Sequence, residues 1–172
     1  MKLFMRAKIL AVAVATAAFV APSLETGTYA QEAPAKVESS ISAYTVTLAE
    51  DGKEIKVPAK KVSPGGTIEY QLSYKNISDE PLEEFVILGN VPASTSYLSA
   101  VPLEATRAIF EVSVSDIGWA TPPIVRYKED DSGIMRPVEV PKDEFEALRW
   151  RLAEPISPGE EVSATYRIKV EE

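Results

Sequence analysis

The residues that most often do chemistry in proteins are missing from this chain: its 172 residues include no histidine and no cysteine. The commonest general base, the thiol nucleophile and the nitrogen and sulfur ligands of a zinc site are therefore all unavailable. No two glycines have the spacing of a nucleophile elbow or a dinucleotide-binding loop, and no serine stands three residues before a lysine. What remains is the pair of carboxylates that glycosidases use as acid and base. The 26 acidic residues fall on the polar faces of strand-like segments and in loops, which is the pattern of solvated charge. The chain is accordingly expected to be no enzyme, and no catalytic, cofactor-binding or metal-binding residue is assigned.

Three smaller features bear on binding. The loop Glu129-Asp130-Asp131-Ser132-Gly133 offers oxygen ligands for calcium but lacks the alternating Asp-x-Asp-x-Asp-Gly order of a helix-loop-helix site, and reads as a hydrated hairpin tip. Trp119 and Trp150 are the two candidates for an aromatic platform under a sugar. Trp150 alternates with Leu148 and Leu152 and is expected in the core, whereas Trp119 follows Gly118 where the ring can reach solvent. Asn76-Ile77-Ser78 fits the N-glycosylation pattern, although a turn position already explains the asparagine.

The elements that would hold these residues are strands. Val62-Ser63-Pro64-Gly65 leads into Thr67 to Lys75, and Ile156-Ser157-Pro158-Gly159 leads into Glu161 to Val170. Proline presets the φ of the second turn residue and glycine accepts the positive φ that follows, so each Pro-Gly reverses the chain. Ile68, Tyr70, Leu72 and Tyr74 then alternate with polar residues, as do Val162, Ala164, Tyr166, Ile168 and Val170, and a period of two marks a half-buried strand. Tyr70, Leu72, Tyr166 and Ile168 should share one core, with Gln71 and Arg167 facing water. Further strands are expected from Ser42 through Leu48, at Glu54 to Val57 after the Asp51-Gly52 turn, at Phe110 to Val114, at Val125 to Tyr127 and at Leu148 to Leu152. Phe85-Val86-Ile87-Leu88 is apolar on both faces and reads as a central or crossing strand, and Lys142 to Ala147 as a single helical turn. Eight to ten short strands with turn signals every 8–12 residues predict an antiparallel β-sandwich. Thirteen prolines, several at strand ends such as Pro58, Pro92 and Pro141, favour open, guarded sheets over a closed barrel.

The first thirty residues stand apart. Lys2, Arg6 and Lys8 precede an apolar run from Ile9 to Ala21, and Thr28-Tyr29-Ala30 supplies small residues at a cleavage site, the form of a secretory signal peptide over 1–30. The run is shorter than the roughly 20 residues a bilayer span needs. Residues 31–40 are polar and read as a flexible lead-in, and 41–172 as one β-sandwich domain. The whole chain has a formal net charge of −8, and removal of the leader makes the rest more acidic still. Such a surface repels nucleic acid and anionic lipid and keeps an exported protein in solution. With no cysteine there is neither a disulfide nor a lipidation site after the leader, and no apolar tail or sorting signal follows the last strand. The mature product is expected to be periplasmic or secreted, with no membrane insertion after cleavage.

The series Gly52-Lys53-Glu54, Pro58-Ala59, Val62-Ser63-Pro64-Gly65-Gly66-Thr67-Ile68-Glu69-Tyr70, Tyr74-Lys75-Asn76, Val91-Pro92-Ala93-Ser94-Thr95-Ser96-Tyr97, Leu148-Arg149-Trp150 and Ile156-Ser157-Pro158-Gly159 resembles the bacterial repeat domain called domain of unknown function eleven. The resemblance covers most of the mature chain. It implies an immunoglobulin-like sandwich of exported and surface proteins, used as a spacer or adhesive module and without catalytic residues. The chain departs from that pattern in having a single copy and a long insert from Pro102 to Lys142. The expected function is a non-catalytic module with a structural, adhesive or protein-interaction role at the bacterial envelope, its partner an unknown envelope protein or polymer. Two alternatives stand beside it: a self-assembling fibre subunit in which the lead-in and Tyr44 to Leu48 complete a neighbour's sheet, and a carbohydrate-binding module using Trp119.

Overall fold

The computed structural model describes residues 36–101, 103 and 107–172; the expected leader at 1–30 lies outside the described residues. Eleven strands run in the order β1 (Val37–Leu48), β2 (Glu54–Pro58), β3 (Thr67–Asn76), β4 (Val86–Asn90), β5 (Thr95–Val101), β6 (Ala108–Val114), β7 (Gly118–Ala120), β8 (Val125–Glu129), β9 (Met135–Glu139), β10 (Phe145–Leu152) and β11 (Glu161–Val170). All pairings between them are antiparallel. One open sheet has the order β2-β1-β3-β11-β5, a second the order β4-β10-β6-β7, and β8 and β9 pair only with each other.

The two Pro-Gly turns do what their residues require. Gly65 and Gly159 take φ of 77° and 78°, and each turn closes with a backbone hydrogen bond, from Gly66 to the Ser63 carbonyl and from Glu160 to that of Ser157 (both 3.0 Å). The strands that follow, β3 and β11, lie side by side with Leu72 opposite Ala164 and Tyr70 opposite Tyr166. Their apolar faces meet the second sheet. Tyr166 stacks on Tyr70 with ring centres 5.1 Å apart and approaches Trp150 of β10 at 6.3 Å. Tyr74 meets Phe85 edge-on at 5.4 Å, and Ile87, Val112, Leu148, Trp150 and Ile168 are all essentially without solvent contact. One core lies between the sheets, as in a sandwich.

At one place the sheets approach so closely that only glycine fits. A Cβ built on Gly89 would stand 2.9 Å from Cε1 of Tyr166, whose ring is held by Tyr70 and Trp150 and whose hydroxyl donates to the Asn90 carbonyl at 2.8 Å. Asn76 makes a second tie. Fully buried at the end of β3, it donates from its amide to the carbonyls of Glu80 (2.8 Å) and Ile156 (2.9 Å) and accepts from the Ser78 amide and hydroxyl. This side chain is a structural clasp, and its burial leaves no access for a glycan.

Several expectations change. β1 begins at Val37, inside the stretch expected as a lead-in, because its first residues join the backbone ladder of β3 (Val37 opposite Asn76) although their polar side chains show no alternation. The apolar run at Phe85 to Leu88 is not a central strand. β4 is the edge of its sheet, and its outward Leu88 is 46% exposed. The span from Pro102 to Lys142 is no simple insert, since it supplies β6 and β7, half of the second sheet. The alternation at Val125 and Tyr127 belongs to a hairpin outside both sheets. The helical turn before β10 is a single 3-10 turn, Lys142–Glu144, after which Phe145 and Leu148 point into the core as expected.

Truncating a core side chain removes its transfer free energy and leaves a cavity, so Leu72→Ala or Ile168→Ala should cost roughly 2–5 kcal/mol in chemical denaturation. Gly89→Ala adds one methyl group against a ring that cannot retreat and should cost about 1–3 kcal/mol. A neutral Gly89→Ala would mean that the sheets can separate at this point.

Candidate functional site

Each sheet turns a polar face outward, and each face is organised around one buried carboxylate. On the five-stranded sheet Glu69 of β3 lies opposite Arg167 of β11 on the side away from the core, yet it is only 1% exposed. Lys56 donates to it at 2.8 Å, Gln71 at 2.9 Å and Arg167 Nε at 2.9 Å, while the rest of the Arg167 fork binds both oxygens of Glu54 at 2.6 Å. Burial alone would raise the Glu69 pKa. The hydrogen bonds from Lys56, Gln71 and Arg167 outweigh it and hold the carboxyl below its ordinary range.

The four-stranded sheet repeats the device. Glu111 of β6 accepts from Arg149 Nε at 2.8 Å and from Arg151 Nε at 2.7 Å, both arginines standing on β10. The bond from Arg149 is the largest influence on Glu111 and lowers its pKa; burial opposes this, and Arg151 adds to the lowering. The Arg149 guanidinium also lies over the Trp119 ring, 4.4 Å from its centre. Trp119 is 37% exposed on the edge strand β7. Across the other edge, Arg151 borders an open cavity of about 300 Å³ shared with Glu84, Phe85, Val86 and Leu152. Glu84 holds a φ of 54°, unusual for a side-chain-bearing residue. A continuous band thus crosses four strands, from this cavity through Arg151, Glu111 and Arg149 to Trp119, with exposed Leu88 and Ile109 beside it.

The carboxylates at the centre of the band and of its counterpart are fully paired. A carboxylate held ionised by two cations is a poor proton donor and a poor nucleophile, so neither Glu69 nor Glu111 has the raised pKa of a glycosidase acid. The acidic loop is committed in a similar way. Arg136 pairs with Asp130, and Ser132 and Ile134 donate to the same carboxylate, which together hold it well below its usual range. Asp130 thereby closes the β8–β9 turn, and among the described residues no group of three metal-binding side chains converges.

Of the sequence expectations, Trp119 is partly exposed on the band and Trp150 is core. Arg167 and Gln71 do not simply face water, because they complete the shell of Glu69. Tyr44 to Leu48 all pair with β2, and Tyr44 to Val46 also with β3 on the other side, within their own chain. Sequence reasoning missed both buried carboxylates. The available signal was an acidic residue within each of two strands, Glu69 and Glu111, with Arg149 and Arg151 at alternate positions of another strand and Arg167 alone within a third. No helix among the described residues is long and apolar enough to cross a membrane. The chain matches no protein-family model, no curated protein and no solved structure.

The folded carboxyls of Glu69 and Glu111 lie below their ordinary 4.5. Their contribution to stability is therefore complete above that value and is lost as pH falls through the lowered one. Glu69→Gln or Glu111→Gln should flatten the acid limb of a stability curve measured downward from pH 5, and an unchanged limb would assign it to other groups. Arg167→Ala leaves buried Glu69 short of one partner and should cost about 1–3 kcal/mol. Lys36→Ala breaks only an exposed pair with Glu80 and should stay within about 0.5 kcal/mol.

Proposed function

We propose that this chain is an exported, non-catalytic module of the immunoglobulin-like sandwich type, released from its leader after Ala30, with a structural, adhesive or protein-interaction role at the bacterial envelope. The observation that carries the proposal is the band on the four-stranded sheet. Its charges are fixed by one another, so it presents a stiff, mixed surface of tryptophan, arginine and aliphatic side chains. Such a surface suits recognition, because aromatic and arginine side chains anchor interfaces at little further ordering cost. The signal-peptide form of residues 1–30 and the acidic composition support export. The partial exposure of Trp119 favours a second reading, in which the ligand is an envelope carbohydrate packed on the ring.

Mass spectrometry of the product from its own host should find an N-terminus at or near Gln31, and intact Met1 in a membrane fraction would refute the export part. Mature protein should sediment with isolated envelopes, with Trp119→Ala and Arg151→Ala each weakening retention at least about tenfold while leaving the fold intact. Loss of retention after glycan digestion, with envelope protein untouched, would select the carbohydrate reading. Absence of any envelope retention by the unaltered chain would overturn the proposal.

A further inference from the structure

Among the described residues two apolar surfaces apart from the band around Trp119 stand uncovered, and they differ in a way that suits one to the other. The first is the β8–β9 hairpin. It is anchored at its base, where Val140 donates to the Ile124 carbonyl at 2.8 Å, both side chains are buried, and Arg126 binds Asp116 and Glu144. Beyond that base it belongs to neither sheet. The register places Val125, Tyr127, Met135 and Pro137 on one face, bounded by Glu129 and Glu139. Tyr127 is 66% exposed, and the others also lie open to solvent. A two-stranded ribbon with an uncovered apolar face has little to stabilise it alone.

The second surface is the overhang of the five-stranded sheet. Ile41 lies opposite Leu72, and Val57 opposite Thr45, whose partner on the other side is Ile68. Ile41, Ile55 and Val57 therefore stand on the core side of the sheet. They are nonetheless exposed, Ile41 by 65%, because the four-stranded sheet does not extend over β1 and β2. Beyond β2 the chain continues through exposed Lys60 and Lys61, which form no ion pair among the described residues. Glu129 and Glu139 are likewise in no such pair.

We infer that the β8–β9 hairpin of one copy docks on the uncovered core-side face of β1 and β2 of a second copy. The apolar stripe of the hairpin would continue the interrupted core, and its acidic borders would meet Lys60 and Lys61. The occupant is a second copy because one chain carries both halves, the hairpin bordered by Glu129 and Glu139 and the overhang followed beyond β2 by Lys60 and Lys61. Such a contact joins unlike surfaces, so a docked pair retains one free hairpin and one free overhang between its two chains, and association proceeds to a closed ring or an open filament. This assembly differs from strand exchange, since β1 stays in its own sheet. It also stands apart from the band around Trp119 and does not depend on export or on an envelope ligand.

Sedimentation velocity of purified mature protein over micromolar to millimolar concentrations should show reversible association that weakens with salt. Tyr127→Glu removes the hairpin surface and Ile41→Lys removes the overhang; each variant alone should remain monomeric, with unchanged circular dichroism and melting temperature. Mixed together they should form a dimer and stop there, because one intact hairpin then meets one intact overhang. As a second pair, Glu129→Lys with Glu139→Lys should weaken association at least about tenfold, and adding Lys60→Glu with Lys61→Glu should restore it. A wild-type chain that is monomeric throughout, a mixture of the two variants that stays monomeric, or variants that associate like wild type would overturn the inference.

Discussion

The approach of Tyr166 to Gly89 sets the distance between the sheets, and much of the molecule follows from it. One ring, carried by β11, fills the space above a residue of β4 that has no side chain, and its hydroxyl closes on the next carbonyl. With the ring so placed, Tyr70 stacks behind it and Trp150 packs beside it, which fixes both neighbouring strands. A larger residue at position 89 would push the sheets apart, and a smaller one at 166 would leave a void. Burial of this size carries most of the favourable free energy in a chain that has no disulfide.

The outer faces are stabilised differently. Among the described residues no second layer covers them, so the carboxylates at Glu69 and Glu111 depend on long basic side chains laid across neighbouring strands. These side chains also act as covers, since the stems of Arg149, Arg151 and Arg167 lie over the sheet while their heads satisfy the buried charge. Such arrangements add less to stability than apolar packing does, but they penalise any register other than the native one. A slip of one residue in β11 would carry Arg167 to the other face and leave Glu69 buried without it.

Much of the fold was legible because two local rules apply without interference. Pro-Gly dictated both long reversals, and alternation dictated which residues of β3, β10 and β11 entered the core. Where the sequence misled, the missing information was nonlocal. The run from Phe85 to Leu88 reads as buried on both sides, yet its position at a sheet edge depends on strands far along the chain. Val37 to Ser40 carry no alternation, and only the ladder offered by β3 shows that they are strand. The band around Trp119 was legible in one residue. That Arg149 and Glu111 would join it follows from β10 pairing with β6, which single-strand patterns do not disclose.

The position of β11 bears on how the molecule can be made. This last strand is interior to the five-stranded sheet, flanked by β3 and β5, and Glu161 pairs with Lys75, a residue laid down much earlier. While synthesis proceeds from the N-terminus, β3 and β5 each lack that neighbour, and Leu72 and Tyr70 have no Ala164 or Tyr166 beside them. Closure of this sheet must await Glu161 to Val170, whose contacts with β3 and β5 are distant in sequence. The strand order thus acts as a timer, because the ladder from β3 to β5 is continuous only once β11 has emerged.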